Sequence, residues 1–181
     1  MLTRYRKVNR YFIFFCFCLI VFPLICRAQA PRAKVELVDK AGKSVGTILL
    51  EETQQGVYIT GKVIDLPLGV HGFHIHERGE CVPPEFKESG GHFNPYEKEH
   101  GFLNPKGPHA GDLPNIMAND KGEAEIDIVT KLITLEKDKE NSLFKEGNTA
   151  LVMHQNEDDY ITDPAGMGGS RIACGIIEEI E

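Results

Sequence analysis

The chain has 181 residues and a formal net charge of −7. Residues 1–30 hold five cations (Arg4, Arg6, Lys7, Arg10 and Arg27) and no anion, so the rest of the chain carries about −12, which argues against nucleic acid and anionic membrane as partners. The part after residue 30, about 150 residues, is one domain, large enough to bury about 70% of its unfolded surface.

The N-terminal segment comes first. Arg4 to Arg10 form a basic head, and Tyr11 to Ile25 follow as an uncharged run rich in Phe, Ile, Leu and Val. Ala28-Gln29-Ala30 then places small residues at the two positions that signal peptidase inspects. These parts predict a secretory signal over 1–30, cleaved after Ala30, ahead of a domain over 31–181. A membrane anchor is the competing reading, but the run is short for a span of about 20 residues, and Pro23 interrupts it. Lipid attachment at Cys26 prefers a small residue before the cysteine, where this chain has Ile25. Export implies an oxidising compartment. Of the five cysteines only Cys81 and Cys174 lie beyond the signal, and they read as one disulfide, with two unpaired buried thiols as the alternative.

Strand texture fills the next stretch. Ala33 to Val38, Val45 to Leu50, Val57 to Val63 and Val70 to His76 alternate apolar with polar residues and are separated by Gly- and Asp-containing breaks. From Glu77 to Pro114 the texture changes: six prolines, many glycines and little periodicity predict a long loop that something must hold. Asn115 to Ala118 and Glu123 to Val129 resume the strands around the turn Asn119-Asp120-Lys121-Gly122. Leu132 to Gly147 is polar, with one helical turn expected over Ser142 to Lys145. Thr149 to His154 and Arg171 to Ile177 are the last two strands, with a second Gly- and Asp-rich loop over Gln155 to Ser170 between them. Eight short strands and two long loops predict an all-β barrel or sandwich.

All seven histidines lie beyond the signal. His74 and His76 are two apart on a strand, so both imidazoles project from one face. His92, His100 and His109 lie in the long loop, Asp112 follows His109 by three, and His154 ends a strand. A carboxylate among imidazoles suits zinc, so His92, His100, His109 and Asp112 read as a closed four-ligand zinc site. His74, His76 and His154 contain no carboxylate and read as a copper site, one ligand short of four unless His92 is shared. A histidine that loses both ring protons can bind two metals, and a metal on one nitrogen eases loss of the proton from the other. Taken singly, each histidine is more often a solvated or core residue than a ligand; the joint pattern carries the reading. His71 is expected to bond backbone and hold loops, with no metal. Gly166-Met167-Gly168-Gly169 lacks the Lys-Ser/Thr end of a nucleotide loop and reads as a flexible channel wall.

The stretches Gly72-Phe73-His74-Ile75-His76-Glu77, Gly90-Gly91-His92-Phe93-Asn94-Pro95, His109-Ala110-Gly111-Asp112-Leu113-Pro114-Asn115 and Gly168-Gly169-Ser170-Arg171-Ile172-Ala173-Cys174-Gly175 resemble, in the same order, those of the copper/zinc superoxide dismutases. The resemblance runs from about residue 33 to about residue 179. It implies an eight-stranded Greek-key barrel that dismutates superoxide to oxygen and hydrogen peroxide. It implies copper on His74, His76, His92 and His154, and zinc on His92, His100, His109 and Asp112, one of each per chain, with His92 as the bridge and as the proton donor to product. It further implies Asp158 as a carboxylate linking copper and zinc ligands, a Cys81–Cys174 disulfide tying the long loop to the last strand, and Arg171 as the cation beside copper that attracts the anionic substrate. The signal, and Cys81 five residues after His76, resemble the bacterial branch, which implies a periplasmic enzyme in a Gram-negative source and a secreted one otherwise. The acidic loop after His154 departs from the animal pattern, so no guidance residue beyond Arg171 carries over. The family includes dimers that use different surfaces and monomers, which leaves a homodimer open; no membrane partner is expected after signal cleavage. Two other readings compete: a non-catalytic barrel that stores or delivers copper and zinc, and a structural domain whose zinc only pins the loop.

Overall fold

A computed structural model describes residues 29–180. The signal expected over residues 1–30 lies almost wholly outside them. The described part is built from antiparallel strands: β1 (Arg32–Asp39), β2 (Ser44–Thr53), β3 (Gly56–Val63), β4 (Gly69–His71), β5 (Phe73–His76), β6 (Ile116–Ala118), β7 (Ala124–Thr130), β8 (Ala150–His154), β9 (Arg171–Ile176) and β10 (Glu178–Ile180). The main sheet runs β5-β8-β9-β1-β2-β3-β7, with β10 also on β1, and β4 pairs with β6 in a small second sheet. The turn that closes with Asn119 N–H donating to the Glu123 carbonyl joins β6 to β7, so the pairings lead back around to β4 and β5.

Ten strands stand where eight were expected, because two of the eight bend. Gly72 separates β4 from β5: its N–H donates to the Asn156 carbonyl at 2.8 Å, and its own carbonyl accepts from His154 N at 2.9 Å. The strand thereby turns a corner from β6 to β8, a place where glycine is typical. At the other bend, Ile177 separates β9 from β10 and donates to the Thr149 carbonyl at 2.9 Å. Counted as bent strands, the eight-stranded barrel holds.

The strands differ in what covers them. In β1, β2 and β3, buried Val35, Leu37, Ile48, Leu50, Val57 and Ile59 alternate with exposed or half-buried positions, the pattern of a sheet with one wet face. In β5 and β8 every residue is buried. Their inner side chains, Phe73, Ile75, Leu151 and Met153, join the main core, each contributing about 1.5–3 kcal/mol by leaving water. On the other face, Ala150, Val152 and Cys174 pack with Phe86, which comes from the long loop. The sheet is therefore roofed there by residues 77–115.

That loop is irregular except for a single 3-10 turn at Lys87–Ser89. The Cys81–Cys174 disulfide fastens it to β9 across 93 residues of sequence. The helical turn expected over Ser142–Lys145 does not form. Leu143 N–H instead donates to the Thr134 carbonyl at 3.0 Å, and the Ser142 hydroxyl accepts from Phe144 N–H. This extended path puts Leu135 and Leu143 into the core, a gain that outweighs a single isolated turn.

Candidate metal centre

Alternation on β5 sends Phe73 and Ile75 inward and His74 and His76 to the roofed face. The loop returns alongside β5. Antiparallel bridges pair His76 with His92 and His74 with Asp112, and Ile75 N–H donates to the Gly111 carbonyl at 2.8 Å while Phe93 N–H donates to the Ile75 carbonyl at 2.8 Å. The backbone thus lays two loop residues beside the strand-borne pair, and His154 arrives from the end of β8.

Two groups result. His74, His76, His92 and His154 each offer one ligand atom within 4.8 Å of the others, and so do His92, His100, His109 and Asp112. In the first group each ring has one nitrogen engaged and one left over. His74 Nε2 bonds Asp158 Oδ2 at 2.8 Å, His76 Nδ1 bonds the Gly90 carbonyl at 2.9 Å, and His154 Nδ1 bonds the Gly169 carbonyl at 3.3 Å. His74 Nδ1 and His92 Nε2 are buried with no partner, and His76 Nε2 and His154 Nε2 face each other at 3.4 Å. An orphaned buried polar atom costs about 1–3 kcal/mol, and two of them aimed into one nest of nitrogens fit a cation that accepts their lone pairs. In the second group, Asp112 Oδ1 lies 2.9 Å from His92 Nδ1, 3.1 Å from His100 Nδ1 and 3.2 Å from His109 Nδ1. Three imidazoles and one carboxylate in that arrangement fit zinc. His92 belongs to both groups through opposite ring nitrogens, the geometry a bridging imidazolate requires.

Protonation agrees with ligation on the first side. Burial pushes the His154 imidazole down to about 3 and that of His92 down to about 4, with neighbouring imidazoles adding to both shifts. Burial, with His92 and His154 beside it, also holds His76 well below the usual histidine range. Their lone pairs are free at neutral pH. On the other side burial opposes charge at His100, but the Asp112 and Asp158 carboxylates outweigh it and raise the imidazole to about 9. Burial would raise Asp112, yet hydrogen bonds from His100, His109 and His92 hold it far below the usual carboxylate range. A cation entering there displaces a proton that already balances the carboxylate.

Asp158 joins the halves: Oδ2 accepts from His74 and Oδ1 from His100 Nε2 at 2.9 Å. Arg171 stands at the start of β9, half-buried. Its guanidinium donates to the Phe86 carbonyl at 2.5 Å, the Ser89 hydroxyl at 2.9 Å and the Gly90 carbonyl at 2.6 Å. A cavity of about 470 Å³ opens above the site, with His76, His92, His109, His154 and Arg171 in its wall. His71 bonds the His154 carbonyl at 2.9 Å and the Pro67 carbonyl at 2.8 Å, and belongs to neither group.

Sequence reasoning missed the means by which the second loop grips the first. Asp163 accepts from His100 N–H at 2.7 Å, and the Asn115 amide donates to the Asp158 carbonyl at 2.8 Å and accepts from Asp158 N–H at 3.0 Å. Nor are Gly166 and Gly168 a loose wall. Both are buried; a Cβ on Gly166 would stand 1.9 Å from Asp158 Oδ1 and 2.6 Å from His100 Nε2. Asn115, in the Gly-Asp-Leu-Pro-Asn stretch, was the one signal in the sequence that could have been followed further.

Comparison with known proteins gives a consistent picture. A family model described as copper/zinc superoxide dismutase matches residues 44–177. "Superoxide dismutase [Cu-Zn] 2" of Aquifex aeolicus is 53% identical over 151 residues, covering 83% of this chain and 88% of that one. Among solved structures, a SOD-like protein from Bacillus subtilis superposes with a TM-score of 0.77 at 41% identity, covering 79% of this chain and 96% of that chain. The Cu/Zn superoxide dismutase of Brucella abortus gives 0.68 at 32% identity, covering 81% and 99%.

Proposed function

The chain belongs to the copper/zinc superoxide dismutase family, and from that premise we propose which of its residues carry out the dismutation of superoxide to oxygen and hydrogen peroxide. His74, His76, His92 and His154 hold copper; His92, His100, His109 and Asp112 hold zinc. Copper supplies one-electron chemistry when bound, and zinc, which does not change oxidation state, supplies fixed charge and structure. The observation that carries this assignment is the pair of buried, partnerless nitrogens, His74 Nδ1 and His92 Nε2, converging with those of His76 and His154.

The chain's own groups then divide the work. Arg171 is fixed by two carbonyls and a hydroxyl, so its cation stays in the cavity wall beside His76 and His154, where it draws in and orients a small anion. The net charge does not prevent this, because exposed charges beyond about 8 Å are largely screened at physiological salt. His92 keeps Nδ1 toward Asp112 and turns its buried Nε2 into the nest of copper-ligand nitrogens, so Nε2, when not engaged by copper, is the atom that would hold a proton and pass it to peroxide. Asp158 fixes the His74 and His100 rings.

Export is part of the proposal. The basic head, the apolar run and Ala28-Gln29-Ala30 support it, and so does a disulfide, which persists in oxidising compartments. N-terminal sequencing of the exported protein should begin at Pro31.

The deciding experiment titrates the chain with copper after zinc loading while following superoxide loss. Activity should rise to a plateau at one copper per chain and vanish in His154→Ala. Zinc binding with no activity at full copper loading would instead support a non-catalytic metal-binding barrel.

A further inference from the structure

Tyr160 lies in the second loop, two residues past Asp158, and nothing in the metal assignment uses it. Its backbone is left-handed, φ 60°, a region non-glycine residues avoid unless their surroundings fix them there. The surroundings are specific. Its N–H donates to Asp158 Oδ1 at 2.7 Å, the same oxygen that accepts from His100. Its carbonyl accepts from Leu103 N–H at 2.9 Å, three residues past His100. Its phenol oxygen accepts from Asn115 N–H at 2.6 Å, three residues past Asp112. Asn115 answers by clamping the Asp158 backbone through both ends of its amide. The fit around the Tyr160 carbonyl leaves no slack: a Cβ on Gly101 would stand 2.0 Å from that oxygen, and Gly101 N–H donates to Asp112 Oδ2 at 2.9 Å.

One residue thus touches the segments behind two zinc ligands and the carboxylate that joins the metal halves. Resting on the zinc assignment above, we propose that Tyr160 is a positioning residue for zinc: it latches the second loop to the first and holds His100, Asp112 and Asp158 in register. Its effect falls mainly on zinc, because two of its three bonds go to the zinc-bearing loop. His76 and His154 are held separately, by the Gly90 and Gly169 carbonyls. The phenol oxygen accepts from a backbone amide of the first loop and bonds no metal ligand directly.

The test uses the copper- and zinc-loaded protein and three chains: parent, Tyr160→Phe and Phe102→Leu. Phe102 meets the Tyr160 ring edge-on at a centroid distance of 5.6 Å, so its replacement removes ring packing and keeps all three hydrogen bonds. Tyr160→Phe should release zinc to a chromophoric chelator about five- to tenfold faster, the worth of one lost hydrogen bond, with copper content unchanged. Cobalt placed in the zinc site should show altered visible bands in Tyr160→Phe, a change that a loss of packing alone would not produce. Phe102→Leu should match the parent. Should Tyr160→Phe fold poorly, hydrogen exchange in the parent decides. With zinc bound, the amides of Leu103 and Asn115 should be protected, and chelation should expose them before the barrel amides. Zinc release and cobalt bands equal to the parent's, free exchange of those amides with zinc bound, or equal zinc loss in Phe102→Leu would each overturn the proposal. A parent that takes up no zinc would refute the metal assignment itself, and the proposal with it.

Discussion

His74, His76 and His154 stand on β5 and β8, inside ladders buried on both faces, and each points its free nitrogen because a carbonyl or carboxylate holds the other. His100, His109 and Asp112 stand on irregular backbone, oriented largely by one another and by the second loop. Three of the four copper ligands are therefore placed by barrel strands, and only His92 comes from the loop. The zinc half is a property of a loop whose ligands are also its fastenings. Removing a ligand should have different consequences on the two sides.

The largest effect is expected at Asp112. Besides facing three imidazoles, its Oδ2 accepts from His109 N–H and Gly101 N–H, each at 2.9 Å. Asp112→Ala should weaken zinc at least a thousandfold, on the order of 4 kcal/mol for a ligand from a four-ligand site. It should also open residues 77–115 to limited proteolysis. His74→Ala should lose copper yet keep zinc and a protease-resistant loop; equal proteolysis in both variants would break the comparison. Next comes the disulfide. Replacing Cys81 and Cys174 by Ser should cost roughly 4 kcal/mol on chemical denaturation, given the 93-residue separation, and should mobilise the Phe86 to Gly90 segment that holds Arg171. Arg171→Glu should slow superoxide loss roughly tenfold to a hundredfold, with metal content unchanged. Unchanged rates would remove Arg171 from the mechanism. The smallest effect is expected for Asp158→Asn. An amide has one acceptor oxygen where two histidines donate, so one ring loses its partner, and one metal should weaken about tenfold. Metal analysis would show which half depends more on that link.

The same division explains what the sequence made legible. Period-two alternation gave β1, β3 and β7 to within a residue, and β2 with its end three residues short, because one face of each is wet and the pattern records it. The histidines of β5 and β8 were legible because alternation states which face a residue joins. The grip between the two loops was not, since it is made largely by backbone amides and carbonyls, such as those of His100, Leu103, Asn115 and Tyr160, and these leave no mark in side-chain order. The corner at Gly72 and the absent turn at Ser142–Lys145 failed for a related reason: tertiary bonds to Asn156, His154 and Thr134 decided them.

β9 carries Arg171 and, three residues later, Cys174. The cation that faces the cavity and the sulfur that locks the roof reach the barrel on one strand. Because β9 also lies between β8 and β1 in the main sheet, a chain without it lacks the lock, the attracting charge and the strand that ties His154 to the rest of the barrel. Closure of the main sheet and completion of the cavity wall therefore fall on the same strand.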